Sequence, residues 1–303
     1  MTPEPKPETT ATEPSRSKIK IGLVQMCATL EKEKNLETAA NAICQAAKNG
    51  ANLVCLPELF SCYGDLKEVA KQAEPIGGAT FSRLQSWARE HKIWLLGGSF
   101  CEQRGELSTG SAPQKTQQER NHQKAYNTSC LFGPTGETLA TYRKIHLFDL
   151  NIPIGANCES DHLARGDEIV DYCSPIGHFG FATCYDLRFP ELFRYLVNRD
   201  CELIFLPAAF THMTGKYHWE PLLRARAIEN QCYMVAPNQC GKHNSTMKSY
   251  GHSMIIDPWG EIVATAGATE TILYADINLD RVTKTRSRFP VLNHRRLPKD
   301  LND

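Results

Sequence analysis

The stretch Asn52-Leu-Val-Cys-Leu-Pro57 recurs later in the chain, in closely similar form, as Glu202-Leu-Ile-Phe-Leu-Pro207. Both are apolar runs of strand length that end at a proline, a pattern typical of a strand buried on both faces. A second pair of similar stretches covers residues 21–27 and 178–184. The chain is therefore predicted to contain two similar halves, each built around a buried sheet.

Helix-like periodic stretches alternate with strand-like apolar runs around the first of these stretches. Strands are predicted at residues 19–26, 52–56 and 93–100, and helices at residues 36–48 and 81–91. This alternation is typical of an α/β fold.

Two hairpin-like units share a further pattern of strand, turn and strand. Residues 126–132 and 138–142 flank Gly133-Pro-Thr-Gly136, whose residues suit a tight turn. Residues 251–264 repeat this arrangement around Pro258-Trp-Gly-Glu261. Each half is therefore predicted to carry about the same sheet, with helices on one face. Two such sheets stacked face to face form a four-layer α-β-β-α sandwich with an internal repeat.

The limits of the folded unit follow from composition. No Pro-, Gly- or Ser-rich linker separates the halves, so residues 18–303 are predicted to form a single domain, with two independent domains as the alternative. Residues 1–17 are rich in Pro, Thr, Glu and Ser and are predicted to be a disordered tail. Residues 105–124 lack apolar periodicity, which predicts a surface loop.

The balance of charge argues against some classes of partner. Lys plus Arg and Asp plus Glu each total 34, so the formal net charge is zero and nucleic acid is not an expected partner. No apolar run reaches the roughly 20 residues that a membrane span requires, and no secretory signal pattern opens the chain. The sequence therefore predicts a soluble cytoplasmic protein that does not interact with membranes.

The twelve cysteines are spread through apolar segments, as Cys55 and Cys130 illustrate. This placement favours reduced core cysteines over a disulfide framework. No pair has the C-x-x-C spacing, and the histidines and cysteines lack a zinc-finger arrangement. We therefore expect no metal.

Cys184 occupies a position suited to a nucleophile. It follows an apolar strand-like run, and Pro190 opens the helix that is predicted next. Unpaired backbone N–H groups and the positive end of a helix dipole at such a junction favour the thiolate. The alternative is an ordinary buried cysteine, which the local sequence alone does not exclude.

A thiol nucleophile requires a base and a group that stabilises the developing oxyanion. Histidine is the default base for a thiol, but the sequence singles out none of the candidates: His146, His212, His218 and His252.

Glu58 and Lys144 each stand at the end of a strand-like run. Glu58 directly follows Pro57 at the carboxyl end of a predicted strand, where α/β sheets place their sites. A carboxyl buried there is poised nearer neutrality, so that it can act first as a base and then as an acid. Lys144 closes the first hairpin. Considered singly, each is also consistent with a surface side chain; considered together with Cys184, they predict one site.

Three stretches carry a family resemblance: Leu56-Pro-Glu58-Leu-Phe60, Tyr142-Arg-Lys144-Ile-His-Leu147 and Cys184-Tyr-Asp-Leu-Arg-Phe-Pro-Glu191. In this order they resemble the three catalytic motifs of the nitrilase superfamily of carbon–nitrogen hydrolases, and the resemblance extends over residues 18–296. The tail and the stretch at residues 105–124 have no counterpart in the family pattern. The resemblance implies the sandwich fold predicted above.

The resemblance also implies roles for individual residues. Cys184 is implied to be the nucleophile, Glu58 the general base, and Lys144 the group that stabilises the tetrahedral intermediate. We expect the backbone N–H of Tyr185 to bind the oxyanion together with Lys144. Glu159 matches a second glutamate that family members place in the pocket, where it would orient Lys144 and the substrate amide. The implied reaction forms a thioester that water hydrolyses, and it requires no cofactor.

The residues after the cysteine narrow the implied substrate. True nitrilases usually carry Cys-Trp-Glu, whereas this chain has Cys184-Tyr-Asp186, which favours an amide over a nitrile. Five further stretches resemble the Nit branch, and within it the enzymes that hydrolyse deaminated glutathione: residues 209–211, 218–229, 239–241, 250–254 and 289–296. The alternatives are an ω-amidase acting on α-ketoglutaramate and a catalytically silent binding scaffold.

The implied substrate carries two carboxylates, which require cationic partners. Arg188 is a candidate, and the alternative for this side chain is an ion pair with Asp186 or Glu191. Side chains near the strand ends are expected to line the pocket: Tyr185, Phe210 and Thr211. The resemblance further implies a homodimer or a higher homo-oligomer.

Overall fold

A computed structural model describes residues 18–105, 124–149 and 158–296 of this chain. The predicted tail at residues 1–17 lies outside the described residues, as does nearly all of the surface loop predicted at residues 105–124. The bounds of the single predicted domain therefore stay a prediction.

The strands are β1 (Ile19–Gln25), β2 (Leu53–Cys55), β3 (Trp94–Leu96), β4 (Phe100–Glu102), β5 (Ala125–Phe132), β6 (Thr138–Arg143), β7 (Leu163–Ala164), β8 (Asp171–Ser174), β9 (Gly177–Phe181), β10 (Leu203–Phe205), β11 (Tyr233–Ala236), β12 (Cys240–Lys242), β13 (Lys248–Tyr250), β14 (Met254–Ile256), β15 (Ile262–Thr265) and β16 (Thr271–Ile277). The α-helices are α1 (Lys32–Lys48), α2 (Leu66–Lys71), α3 (Ala79–His91), α4 (Glu159–His162), α5 (Pro190–Asn198), α6 (His212–Asn230) and α7 (Asp280–Arg288). Two 3₁₀-helices span Cys184–Arg188 and Val291–His294.

The internal repeat predicted from the sequence appears in the pairing of the strands. In the first sheet β1, β2 and β3 run parallel, β5 is antiparallel to β3, and β6 is antiparallel to β5. In the second sheet β9, β10 and β11 run parallel, β14 is antiparallel to β11, and β15 is antiparallel to β14. Each set also has an antiparallel strand on its first member, β16 on β1 and β8 on β9. The C-terminal strand therefore completes the sheet of the N-terminal half.

The two sheets pack face to face, which confirms the four-layer sandwich. Buried side chains of both sheets form one apolar layer, in which Leu23 and Leu53 of the first sheet join Phe181 and Phe205 of the second. Helices α1 and α3 cover the outer face of the first sheet, and α5 and α6 cover that of the second. Apolar side chains are therefore buried in three layers, one between the sheets and one beneath the helices on each outer face. Burial of each large apolar side chain contributes about 1.5–3 kcal/mol, so these layers are the main source of stability.

Helix α1 illustrates why the sequence forms the outer layers. Its buried residues include Leu36, Ala39, Ile43 and Ala46, which recur at the spacing of one helix face. That stripe packs on β1 and β2, and the polar residues between its members face outward.

The single strand predicted at residues 93–100 is wrong. Strand β3 ends at Leu96, β4 begins at Phe100, and both strands pair with β5. The chain turns at Gly98, whose φ is +58°, and a Cβ added there would lie 2.1 Å from the carbonyl oxygen of Pro57. Only glycine fits this close approach, which sets the Gly98 turn against the segment that leads into Glu58.

No helix in the described part of the chain is long and apolar enough to cross a membrane.

Candidate active site

The carboxyl ends of β2, β6 and β9 meet at one cavity. Glu58 follows β2, Lys144 follows β6, and Cys184 follows β9. Cys184 and Glu58 line the same cavity, where the charge of Glu58 acts on the thiol, and the ammonium of Lys144 donates to the Glu58 carboxylate. The structure therefore brings together the three residues that the sequence motifs predict for one site.

Glu58 is almost completely buried, at 2% exposure, and its carboxylate is held at both oxygens. Asn127 Nδ2 donates to Oε1 at 2.8 Å, and the backbone N–H of Ala209 donates to Oε2 at 2.8 Å. Gln239 Nε2 also donates to the Glu58 backbone carbonyl at 3.0 Å. These partners come from both halves of the sandwich, Asn127 from β5 and the other two from segments after β10 and β11, so the position of Glu58 depends on how the two halves pack.

Lys144 is a buried ammonium, at 1% exposure, and is not a surface lysine. Its Nζ donates to Glu58 Oε1 at 2.9 Å and to Glu159 Oε1 at 2.8 Å. Burial opposes the charge of Lys144, but the carboxylates of Glu159 and Glu58 outweigh this cost and hold its pKa well above the usual value. Lys144 is therefore a fixed positive charge beside the thiol.

Glu159 begins the short helix α4, and its carboxylate bridges two elements. Its Oε2 accepts from the backbone N–H of Phe148 at 2.7 Å, while Oε1 accepts from Lys144. Burial raises the pKa of Glu159 despite the attraction of Lys144, and the charge of Glu58 adds to the increase. Two carboxylates around one ammonium leave an excess of one negative charge in this buried space, so a proton is readily held there.

Cys184 lies in the left-handed region of the backbone, with φ +45°, as the first residue of the 3₁₀-helix. Its backbone N–H donates to the carbonyl of Pro207 at 3.0 Å. A non-glycine residue in this conformation is strained, which is typical of functional positions.

The prediction that a helix start favours the Cys184 thiolate is wrong for this structure. Burial and the charge of Glu58 raise the pKa of the thiol well above its usual value, although Lys144 acts in the opposite direction. The helix predicted to open at Pro190 is confirmed as α5, and a 3₁₀-helix lies between Cys184 and its start. Cys184 therefore rests as a thiol whose proton is held next to Glu58.

Asp186 turns away from the cavity and ties two motifs together. Its carboxylate is completely buried and accepts from Thr183 N at 2.8 Å, from the Tyr142 hydroxyl at 2.7 Å and from His146 N at 3.0 Å. His146 Nδ1 also lies 2.7 Å from this carboxylate. Asp186 thus fixes the strained turn of Cys184 against the strand that carries Lys144.

The other candidate histidines have other neighbours. His212 lines the cavity, His218 Nδ1 lies 3.2 Å from Arg188 Nη1, and the ring of His252 packs on Tyr250. The acidic group that raises the pKa of the Cys184 thiol is the carboxylate of Glu58, which favours a carboxylate rather than an imidazole as the base.

A cavity of about 380 Å³ surrounds the thiol. Buried acidic groups lie on one part of its wall, aromatic rings form others, and exposed residues lie at its mouth. The lining residues are Glu58, Tyr63, Leu66, Phe148, Glu159, Cys184, Tyr185, Arg188, Ala209, Phe210, Thr211, His212, Met213, Thr214, Thr246, Met247 and Lys248. The pocket residues predicted from the sequence, namely Tyr185, Arg188, Phe210 and Thr211, are all in this set.

Arg188 does not form the ion pair with Asp186 or Glu191 that was its alternative. Asp186 is engaged with Thr183, Tyr142 and His146, and the guanidinium of Arg188 instead packs 5.6 Å from the ring centre of Tyr185 and 5.2 Å from that of Phe210. Within the described residues it has no carboxylate partner, so its charge faces the cavity.

Sequence reasoning missed several residues of the site. Asn127 holds Glu58 from the middle of β5, and a buried amide in an otherwise apolar strand is a signal that could have identified it. Tyr63, Phe148 and Lys248 reach the cavity from loops or from a short hairpin, and no local pattern marks them.

All twelve cysteines are free thiols, as predicted from their apolar surroundings. The described residues contain one group of side chains with the spacing of metal ligands, formed by Asp171, His178 and Cys201. There the Asp171 carboxylate already lies 2.8 Å from both Arg199 Nη1 and His178 Nε2. Its charge is balanced within the protein, and the absence of a metal stays a prediction.

Comparison with known proteins agrees with this geometry. A family model described as carbon-nitrogen hydrolase matches residues 20–287. A protein from Synechocystis named deaminated glutathione amidase is 42% identical, over 90% of this chain and 96% of the relative. A mouse protein named omega-amidase NIT2 is 36% identical, over 92% of this chain and 96% of the relative.

Solved structures show the same architecture. Saccharomyces cerevisiae Nit3, described as a member of branch 10 of the nitrilase superfamily, superposes with a TM-score of 0.80 at 32% identity. The alignment covers 95% of this chain and 100% of that one. The chain therefore belongs to the carbon-nitrogen hydrolase family, and within it to the Nit branch of the nitrilase superfamily.

Proposed function

We propose that this enzyme is an amidase that hydrolyses deaminated glutathione to α-ketoglutarate and Cys-Gly. The observation that carries the chemistry is the placement of the Cys184 thiol and the Glu58 carboxylate in one cavity, with the Lys144 ammonium bonded to that carboxylate. The relative with 42% identity, which is named for this activity, supports the choice of substrate.

In the first step Glu58 accepts the proton of Cys184 as the sulfur attacks the amide carbonyl. The resting thiol is protonated, so transfer to the neighbouring carboxylate of Glu58 generates the thiolate only as it reacts. Asn127 and Ala209 hold the two oxygens of Glu58, so little reorganisation is needed.

The carbonyl oxygen becomes an anion in this step and requires donors. Lys144 Nζ is a fixed positive charge in a buried site, where electrostatic stabilisation is strong. The backbone N–H of Tyr185 is a second donor, because the first N–H groups of a helix have no partner within that helix. Glu159 acts as a positioning residue, since it holds the other side of the Lys144 ammonium.

The tetrahedral intermediate then collapses. The C–N bond breaks, Glu58 returns the proton to the leaving amine, and the α-ketoglutaryl group remains on Cys184 as a thioester. Water attacks the thioester as Glu58 takes one of its protons, the C–S bond breaks to release α-ketoglutarate, and Glu58 gives that proton to the departing sulfur to regenerate the thiol.

The acyl half of the substrate ends in an α-keto acid carboxylate. Arg188 is suited to bind it, because its guanidinium faces the cavity without a carboxylate partner in the described residues. Phe210, Thr211 and the ring of Tyr185 line the same part of the cavity and would enclose the chain between the two carbonyl groups.

The ω-amidase reaction on α-ketoglutaramate is the second candidate function. The mouse relative named omega-amidase NIT2 favours it, and the two substrates share the same acyl half. They differ only in the leaving group, which is ammonia for the ω-amide and a dipeptide for deaminated glutathione.

Two further properties belong to the same proposal. A homodimer or higher homo-oligomer is supported by large apolar side chains on the surface of α6, where Met213 is 75% exposed, Tyr217 66% and Ile228 51%. A cytoplasmic location is supported by the twelve free thiols, which suit a reducing compartment.

The proposed reaction is tested by turnover and by trapping. Deaminated glutathione and α-ketoglutaramate are compared by kcat/KM, and the enzyme is quenched after brief mixing for intact-mass analysis. We expect the higher kcat/KM on deaminated glutathione and an α-ketoglutaryl adduct on Cys184. A higher value on α-ketoglutaramate would support the ω-amidase, and failure to hydrolyse either amide would refute both.

A further inference from the structure

Lys248 is a cation at the mouth of the cavity that the reaction proposed above does not use. It begins β13, is exposed to solvent, and lines the same cavity as Cys184 and Arg188. Among the lining residues, Arg188 and Lys248 are the ones with a lysine or arginine side chain. Within the described part of the chain no carboxylate pairs with Lys248, so its charge is available to a ligand.

The hairpin formed by β12 and β13 is held in a defined shape. The side-chain oxygen of Asn244 accepts from the backbone N–H groups of Thr246 and Met247, at 2.9 Å and 2.7 Å. His243 Nε2 lies 2.8 Å from the buried hydroxyl of Ser249. Neighbouring residues of a strand point to opposite sides, so Lys248 points away from the side on which Ser249 is buried, and it lines the cavity.

The two cations of the cavity differ in their distance from bulk water. Arg188 is partly buried, packs between two aromatic rings, and follows Cys184 by about one turn of the 3₁₀-helix. Lys248, by contrast, is an exposed residue of the cavity wall. The acyl half stays bonded to the sulfur of Cys184 and belongs with the enclosed cation, whereas the leaving half must exit through the mouth.

We propose that Lys248 binds the terminal carboxylate of the leaving dipeptide and thereby favours amides of peptides over primary amides. This inference rests on the proposed function, because it assigns the second carboxylate of the proposed substrate. Two residues in an extended conformation span about 7 Å, which brings such a carboxylate from the scissile bond toward the mouth of a cavity of this size. An exposed lysine suits this role, because its weak ion pair with the carboxylate allows the dipeptide to leave readily after cleavage.

The chain offers a matched control. Lys242 is the residue directly opposite Lys248 in the β12–β13 pair, is also exposed, and does not line the cavity. Lys242→Met and Lys248→Met remove the same charge from neighbouring points of one hairpin. If the overall electrostatic field of the protein is what matters, both substitutions should change kcat/KM. If Lys248 contacts the substrate directly, only Lys248→Met should change it.

The test measures kcat/KM for three amides at low ionic strength: deaminated glutathione, the same compound with its terminal carboxylate converted to a carboxamide, and α-ketoglutaramate. For Lys248→Met we expect kcat/KM on deaminated glutathione to fall about 3- to 10-fold, mainly through KM, because one charged contact is lost. Values on the carboxamide and on α-ketoglutaramate should stay within about 2-fold of the wild type. Lys242→Met should match the wild type on all three.

The outcomes separate the two proposals. If Lys248→Met lowers all three values equally, or none of them, Lys248 does not bind the leaving carboxylate although the proposed function stands. If the wild-type enzyme hydrolyses α-ketoglutaramate but not deaminated glutathione, the proposed substrate is wrong and the assignment of Lys248 is overturned with it.

Discussion

Lys144 Nζ lies 2.9 Å from Glu58 Oε1, and both side chains are almost completely excluded from water. A buried ion pair of this kind contributes little to stability compared with apolar packing, but breaking it leaves a buried charge without a partner. We therefore expect the Glu58–Lys144 pair to serve the chemistry of the neighbouring Cys184 thiol rather than the stability of the fold.

Lys144→Met should abolish turnover and destabilise the fold. Removal of the ammonium leaves the carboxylates of Glu58 and Glu159 facing each other, so we expect the free energy of unfolding at pH 7 to fall by about 3–5 kcal/mol. The loss of stability should be smaller at pH 5, because protonation of a carboxylate reduces the repulsion between Glu58 and Glu159. Urea unfolding at both pH values measures this, with exposed Lys242→Met as the control. A variant as stable as the wild type at pH 7 would contradict the paired geometry.

Glu58→Gln should fold and bind substrate but lose turnover. The amide keeps the size of the side chain and an oxygen that accepts hydrogen bonds, yet it cannot take the proton of Cys184. We expect kcat to fall by about 10²–10⁴-fold with a small change in KM. Steady-state kinetics on deaminated glutathione measures the effect. Retention of more than a tenth of kcat would rule out Glu58 as the base.

Cys184→Ala should remove both turnover and the trapped adduct. Cys27 provides a matched control, because residues 21–27 correspond to residues 178–184 in the internal repeat. Cys27 is also partly exposed, and it does not line the cavity. Cys27→Ala should keep wild-type kcat/KM. An adduct that survives in Cys184→Ala would assign the nucleophile to another residue.

Gly98→Ala should disturb the segment that carries Glu58. Its Cβ would lie 2.1 Å from the Pro57 carbonyl oxygen, and its φ of +58° disfavours alanine. We expect a loss of at least about 1–3 kcal/mol in unfolding free energy, together with a lower kcat. Gly105→Ala is the control, since an added Cβ there meets nothing within 4 Å. Equal stability of the two variants would show that the turn at Gly98 is not restrictive.

Stability should decrease at alkaline pH because of the buried thiols. Burial raises the pKa of Cys232 to about 12, whereas an unfolded cysteine has a pKa of about 8.5. Between these values the unfolded chain loses a proton that the folded chain keeps, so stability is complete below about pH 8.5 and is lost as the pH rises. Each such thiol contributes a slope of about 1.4 kcal/mol per pH unit.

Cys232→Ala isolates this contribution. Its free energy of unfolding should be lower than that of the wild type at pH 8 because a buried side chain is truncated, but it should fall less steeply between pH 9 and pH 11. Urea unfolding across this range provides the two slopes. Identical slopes would mean that Cys232 titrates alike in the folded and unfolded chains.

The amino-acid sequence by itself determined the layers and the order of the motifs. Apolar periodicity is a local property, so it predicted the helices around residues 36–48 and 81–91 and the strands before Glu58 and Cys184. The repeated strand–turn–strand pattern predicted the matching halves, because strand pairing follows the hydrophobic pattern and the turn. The placement of three polar residues at strand ends was sufficient to predict one site.

Only the tertiary structure decided the contacts that make these residues reactive. Asn127 reaches Glu58 from β5 and Ala209 from the segment after β10, and among the described residues Arg188 lacks an acidic partner, since Asp186 is already bound by Tyr142 and His146. The pKa of Cys184 is raised by burial and by Glu58, against the prediction from its place at a helix start. Such contacts depend on distances between side chains far apart in the chain, and those distances exist only once the two sheets have packed.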